Sequence, residues 1–197
     1  MGYGVENVVG GMNRSGPSYW PTVLARTYIE HQRLRQFIHD IKTPRDHWRH
    51  GAEFGCGYGR MAPVLTEFCT KVTAYERDQE LASIAQQAIG EMVHVNRVES
   101  LERVHAVPDG GFDLILTYTV LQHMPDDECS RVMAEIKRTL APNGLLVCVE
   151  DTHGERGGNV WPRVPERYAD MLGMKLILQA PRIIEDNRNV GTMMAFA

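Results

Sequence analysis

A chain of 197 residues that is 43% hydrophobic and 23% charged is long enough for one domain around one sizeable core, and too apolar to be disordered. Its formal net charge of −4 gives no electrostatic reason to expect a phosphate backbone as partner, which argues against nucleic acid. No apolar run approaches the roughly 18 residues that suggest a membrane span, and Met1 to Gly16 is Gly-rich without the charged-then-apolar pattern of a secretory signal.

Met1 to Pro21 reads as loop. Thr22 to about Ile41 has helical spacing, with Leu24, Tyr28, Leu34, Phe37, Ile38 and Ile41 on one face and Arg26, Glu30, Arg33 and Arg35 elsewhere, until Thr43-Pro44 stops it. Residues 1–45 thus form an N-terminal lid or cap segment, and 46–197 the main domain. The main domain opens with a strand near Trp48–Phe54, a Gly-rich turn and a helix at about Arg60–Cys69. A short strand over Lys71–Glu76 follows, then a helix from Asp78, a candidate N-cap, to Ile89. Met92–Val98 alternates like a strand, and Phe112–Thr117 is a continuous apolar run suited to a buried parallel strand. Asp126–Leu140 is helical, Pro142-Asn143-Gly144 a turn, Leu145–Glu150 a buried strand and Pro165–Leu172 a helix. Lys175–Gln179 and Thr192–Ala197 close the chain as strands with no helix between them. The alternation predicts a Rossmann-like, doubly wound α/β fold: a mostly parallel seven-stranded sheet with an antiparallel last strand at the edge.

The four cysteines, Cys56, Cys69, Cys129 and Cys148, form no C-x-x-C pair and sit in apolar or Gly-rich runs. They read as free, buried thiols of a reducing compartment, which points to a cytoplasmic protein and leaves Asn13-Arg14-Ser15 an incidental sequon.

The segment that carries chemistry is Glu53-Phe54-Gly55-Cys56-Gly57-Tyr58-Gly59-Arg60, where the first strand gives way to a helix. Glycines there let backbone approach a ligand, and the carboxyl ends of parallel strands form the crevice in which such sheets bind ligands. The spacing is G-x-G-x-G. A dinucleotide fingerprint would need glycine at Arg60, and no P-loop run exists. Three acids stand at three strand ends: Glu53, Glu76 (21 residues after Gly55, where an acid can accept both hydroxyls of a ribose) and Glu99.

These motifs, E-F-G-C-G-Y-G-R, Y-E-R-D, F-D-L-I-L-T-Y-T-V-L-Q-H and L-A-P-N-G-L-L-V, resemble in order and spacing those of the class I S-adenosylmethionine-dependent methyltransferases over roughly residues 48–197. The resemblance implies S-adenosylmethionine as cofactor and S-adenosylhomocysteine as product. It implies that Gly55, Cys56 and Gly57 run under the methionine part, that Glu53 anchors the turn and meets the methionyl end, and that Glu76 holds the ribose. Arg77 would flank the adenine, Glu99 and Ser100 would read its edge, and Thr117 and Tyr118 would reach the methionyl group. Tyr19, with Trp20, would either fold over the cofactor as a lid or pack on the sheet edge, and Arg14 could then reach a carboxylate. Two departures stand out. The first strand, apolar in the family, reads Arg49-His50-Gly51-Ala52, and the third acid is Glu99 rather than aspartate.

Methyl transfer from a sulfonium is an in-line displacement that needs alignment first, and a base only where the acceptor must lose a proton. Candidate bases are His123, Asp151 and His153, with Tyr118 as an orienting hydroxyl. His123 could instead bond loop backbone, and Asp151 and His153 could be solvated loop. Arg163 could pair with an acidic substrate group or lie on the surface as an ordinary arginine. His47 and His50 are three apart, but no cysteine or carboxylate set completes a metal site. The motifs of the amino-methylating, cytosine-C5, arginine-modifying and metal-dependent catechol subclasses are missing. What remains is a broad group acting on small molecules, sugars, peptides or protein side chains, with O- or N-methylation of a small-molecule acceptor as the leading expectation. Methylation of protein or RNA, or a non-catalytic cofactor-binding partner subunit, are the alternatives.

Overall fold

The computed structural model describes residues 19–43, 47–104, 107–183 and 189–197, with the side chains of 19–22 and 189 outside the description. Arg14, and the side chains of Tyr19 and Trp20, therefore lie outside the described residues.

Seven strands form one sheet in the order β3-β2-β1-β4-β5-β7-β6. They are β1 (Trp48–Phe54), β2 (Cys69–Glu76), β3 (His94–Arg97), β4 (Phe112–Tyr118), β5 (Leu140–Glu150), β6 (Leu176–Ile183) and β7 (Asn189–Phe196). β1 pairs in parallel with β2 and β4, β2 with β3, and β4 with β5, while β7 runs antiparallel to both β5 and β6. The Rossmann-like α/β class stands. The antiparallel last strand is not the edge strand, however: β7 slots between β5 and β6, leaving β6 outermost. Pro181 fits there, because an edge strand tolerates a residue that cannot donate to a neighbour.

One face of the sheet is covered by the helix α1 (Tyr19–Asp40), the short α2 (Ala62–Leu65) and α3 (Gln79–Ile89). The other is covered by α4 (Asp126–Thr139) and α5 (Pro165–Leu172). α1 keeps its only proline, Pro21, in its first turn, where a missing N–H costs nothing. Leu34, Phe37, Ile38 and Ile41 bury against the sheet as expected, but Leu24 and Tyr28 are each 66% exposed. The apolar stripe thus serves only the second half of the helix. Midway along it the helix turns inward Glu30, which is 1% exposed.

Other boundaries shift for local reasons. The helix expected over Arg60–Cys69 shrinks to Ala62–Leu65. Thr66, Glu67 and Phe68 tighten into i−3 turns, and β2 already starts at Cys69. Asp78 caps α3 as expected, its carboxylate accepting from the N–H groups of Glu80 and Leu81, both at 3.0 Å. β5 begins at Leu140, and its register against β4 jumps between Leu140 and Leu145, so the expected turn becomes an irregularity with Asn143 at φ 59°. β1 runs its full seven residues despite Arg49 and His50, because both of their backbone N–H groups donate to Asp113 at 3.1 Å. The His50 ring bonds Thr73 at 2.8 Å and packs edge-on against Phe112. His50 therefore sits in a strand, not on a helical turn shared with His47.

Candidate active site

At the carboxyl end of β1 the chain turns through Gly55, Gly57 and Gly59, all at positive φ. The N–H groups of Gly55 and Cys56 bond the carbonyl of Tyr75, tying the turn to β2. A Cβ on Gly55 would meet Val120 at 2.7 Å, whereas one on Gly57 would project into open space. Gly57 lines a cavity together with Glu53, the rest of the turn, Arg60, Glu76, Arg77, Leu81, Leu101, Tyr118, Val120, His123 and Met124 among others.

Strand alternation puts Glu53 and Glu76 on the same face of the sheet, one from β1 and one from β2. Glu76 is buried. One of its carboxylate oxygens accepts from the N–H of Gly57 at 2.8 Å and the other from Asp78 at 2.9 Å, and each oxygen keeps further acceptor capacity. Glu53 is buried as well, and its Oε2 has no hydrogen-bond partner among the described residues. Burial pushes its carboxyl up to about 8, against the pull of Arg60, with Glu76 adding to the rise. A neutral, half-satisfied acid in a cavity is poised to ionise when a cation arrives.

Across from Glu53 lies Arg60. Its guanidinium reaches Glu30 of α1, and Arg182 of β6 reaches the other oxygen of Glu30 at 2.5 Å. Both guanidiniums lie over the ring of Tyr118, at 5.3 and 5.1 Å from its centroid, and Arg182 Nε donates to the Tyr118 hydroxyl at 3.3 Å. Burial alone would raise the Glu30 carboxyl, but Arg60 and then Arg182 outweigh it and hold it below the ordinary range. Burial keeps the Tyr118 phenol protonated.

The remaining sequence-predicted residues divide. Cys56 and Arg77 line the cavity with the glycines, Arg77 also pairing with Glu128 at 2.9 Å. Thr117 faces the opposite side of the sheet from Tyr118, and its hydroxyl donates to buried Glu150 at 2.9 Å. Glu150 also accepts from the N–H groups of Val120 and Gln122, each at 3.1 Å, so it shapes the loop after β4 from beneath. Glu99 is not among the residues lining the cavity; it lines an open groove with residues of β2 and β3 and Gly111-Phe112. Ser100 caps the following turn through the N–H of Glu102 at 3.0 Å, and the neighbouring Leu101 supplies the cavity wall.

His123 lines the cavity, and its Nδ1 meets the carbonyl of Asn159 at 2.9 Å. A carbonyl only accepts, so Nδ1 carries the proton. Nε2 then accepts from the Gln122 amide at 3.3 Å, whose other end takes the N–H of Asp151 at 2.6 Å. Burial lowers the imidazole below its usual value and keeps it neutral. The chain of bonds ties the segment after β5 to the loop after β4. Asp151 Oδ1 accepts from the N–H of His153 at 3.1 Å, and neither side chain lines the cavity. Arg163 is neither on the surface nor in the cavity. It is buried, donating to Asp126 at 2.8 Å and to the carbonyls of Leu121, Trp161 and Met124.

Residues 52–148 match the family described as a methyltransferase domain. With the sheet order and the reversed β7, this decides the family. The matched segment belongs to the class I S-adenosylmethionine-dependent methyltransferases, and the whole sheet has their fold. Among curated relatives it is similar to the ubiquinone biosynthesis O-methyltransferase of Xanthomonas oryzae, 30% identical over 96 residues, which are 48% of this chain and 39% of that protein. The match thus spans about two fifths of the relative's length. Among solved structures it resembles an S-adenosylmethionine-dependent methyltransferase of Leishmania major (TM-score 0.77, 18% identity, 98% of this chain and 77% of that one). It also resembles the N-methyltransferase NodS of Bradyrhizobium japonicum in complex with S-adenosylhomocysteine (TM-score 0.67, 20% identity, 86% and 85%). At these identities the likeness is one of fold.

The methyltransferase cavity fits the family's cofactor. The orphaned Glu53 Oε2 suits an ammonium, and Glu76 has acceptor capacity for a diol. The open Gly57 admits a ligand against backbone, and Leu81, Leu101 and Met124 give apolar walls for a flat ring. No helix among the described residues is long and apolar enough to cross a membrane, and all four cysteines are buried and free.

Proposed function

We propose that this methyltransferase moves a methyl group from S-adenosylmethionine to an oxygen or nitrogen of a small-molecule acceptor. The observation that carries the cofactor half is the pair of buried carboxylates, Glu53 and Glu76, facing one cavity across a glycine turn that is open at Gly57. The small-molecule half is supported by the Xanthomonas relative, whose name describes an O-methyltransferase of ubiquinone biosynthesis.

The cofactor supplies an activated methyl on a good leaving group, so the protein's tasks are to bind, align and exclude water. In this reading Glu76 takes the ribose hydroxyls, Glu53 the methionyl ammonium and Arg60 its carboxylate, while Leu81, Leu101 and Met124 enclose the adenine beside Arg77. Glu99 and Ser100 then contribute through the course of the backbone rather than through their side chains. Thr117 acts through Glu150 on the loop that carries Val120, and Tyr118 forms the wall toward the acceptor.

His123, with both ring nitrogens engaged, orients that loop. If the acceptor must lose a proton, Asp151 and His153, on the segment that His123 and Gln122 tether, are the groups to receive it. Calorimetric titration with S-adenosylhomocysteine tests the cofactor half, and a turnover screen of small acceptors tests the other.

A further inference from the structure

Glu30 is the least expected charged group beside the cavity. It comes from α1, is 1% exposed and joins two arginines that lie 30 and 152 residues further along the chain. Arg26 approaches the same carboxylate at 3.8 Å, so three guanidiniums converge on one acid. Arg60 and Arg182 both lie over the Tyr118 ring, and both Arg60 and Tyr118 line the cavity. Glu53, which faces Arg60 in the same cavity, is held largely neutral by burial in the ligand-free protein. This end of the cavity is therefore cationic, and Glu30 is the ionised group that offsets it.

A cationic wall is a poor neighbour for a sulfonium. In a cavity of low effective dielectric, like charges repel over several ångströms with energies that change affinity by an order of magnitude. The thioether product carries no such charge. Arg60 also needs a fixed direction if it is to meet an anionic group of a ligand, and a carboxylate behind it, bonded through one oxygen while Arg182 holds the other, supplies one.

We infer that Glu30 is a positioning residue for methyl transfer. It holds Arg60, Arg182 and Tyr118 as one wall and neutralises that wall enough for a positively charged cofactor to sit beside it. This rests on the reading of the cavity as the S-adenosylmethionine site. A merely structural Glu30 would affect binding of charged and uncharged forms of the cofactor equally. A charge-setting Glu30 discriminates between them, and the surplus cation Arg182 acts in the opposite sense.

The test is calorimetric titration of wild type, Glu30→Gln and Arg182→Met with S-adenosylmethionine and with S-adenosylhomocysteine, each protein being checked for a cooperative thermal transition. Glu30→Gln is expected to weaken S-adenosylmethionine about tenfold more than S-adenosylhomocysteine. Glu30→Asp should recover part of that difference. Arg182→Met, which removes one cation and keeps a similar volume, should shift the ratio the other way, in favour of S-adenosylmethionine. Should Glu30→Gln fail to fold, the sign of the Arg182→Met shift alone decides. Equal changes for both ligands in these variants, or no change, would overturn the inference while leaving the cofactor site intact. A wild-type protein that binds neither ligand would instead overturn the cofactor reading on which it stands.

Discussion

The carboxylate of Glu76 accepts the backbone N–H of Gly57 at 2.8 Å, so the acid at the end of β2 holds open the turn at the end of β1. One side chain thereby organises the glycine turn and offers acceptors to a ligand. Glu76→Ala removes both effects, and Glu76→Gln keeps the shape but loses the charge. Hydrogen bonds to a charged group contribute about 1.5–3 kcal/mol each. Glu76→Ala should weaken S-adenosylhomocysteine binding by about a hundredfold on that scale, and Glu76→Gln by less. Calorimetry of both variants checks this, and an unchanged affinity would remove Glu76 from the ribose site.

Gly55 and Gly57 should fail in different ways. A Cβ at Gly55 would press on Val120 at 2.7 Å with φ at +75°, so Gly55→Ala should lower the melting temperature markedly. At Gly57 nothing lies within 4 Å, and the strain of φ +56° alone costs about 1 kcal/mol. Gly57→Ala should therefore melt close to wild type yet lose most of its affinity for S-adenosylhomocysteine, because the methyl occupies the ligand's place. Thermal melts run with and without ligand separate the two.

The raised carboxyl of Glu53 links binding to pH. With its value near 8 in the free protein, Glu53 must lose a proton to pair with an ammonium. Affinity for S-adenosylhomocysteine should therefore rise as pH climbs from 6 toward about 8, by at most about tenfold per unit, and then flatten. The sign for stability is the reverse. The folded, ligand-free chain retains a proton on Glu53, and one on Glu150 up to about 7, that the unfolded chain releases near 4.5. Stability contributed by these protons is full below the unfolded value and is lost as pH rises toward 8. Glu53→Gln should flatten the binding profile and leave only the Glu150 share of the stability profile, as titrations and melts across that range would show.

Arg163 is a structural tie. It satisfies the carbonyls of Leu121, Trp161 and Met124 and pairs with Asp126 from a buried position. Arg163→Ala should destabilise the fold by about 2–4 kcal/mol, because it strands buried acceptors as well as losing packing. Chemical denaturation measures it, and a loss below about 0.5 kcal/mol would place the side chain at the surface after all.

What was legible in the sequence was what short-range patterns encode. The continuous apolar run of β4, the Asp78 cap, the positive-φ glycines and the acid closing β2 all announce themselves within a few residues. What was not legible depends on long-range partners. Glu30 read as one more polar-face residue of a helix, since nothing nearby in the chain reveals Arg60 or Arg182. Arg60 itself registered only as the residue that breaks a dinucleotide fingerprint. Thr117 could have been separated from Tyr118 beforehand, because consecutive strand residues face opposite ways and one cavity cannot take both. Likewise Glu99 is expected to close a strand, but β3 ends at Arg97, so no strand register carries its side chain to the cavity.

The most direct test of the account is calorimetric titration of the wild-type protein with S-adenosylhomocysteine, with NAD as the control. Micromolar binding of S-adenosylhomocysteine and none of NAD is the result expected from Glu53, Glu76 and the Arg60-broken fingerprint. A cooperatively folded protein that binds no S-adenosylhomocysteine would contradict the assignment of this cavity.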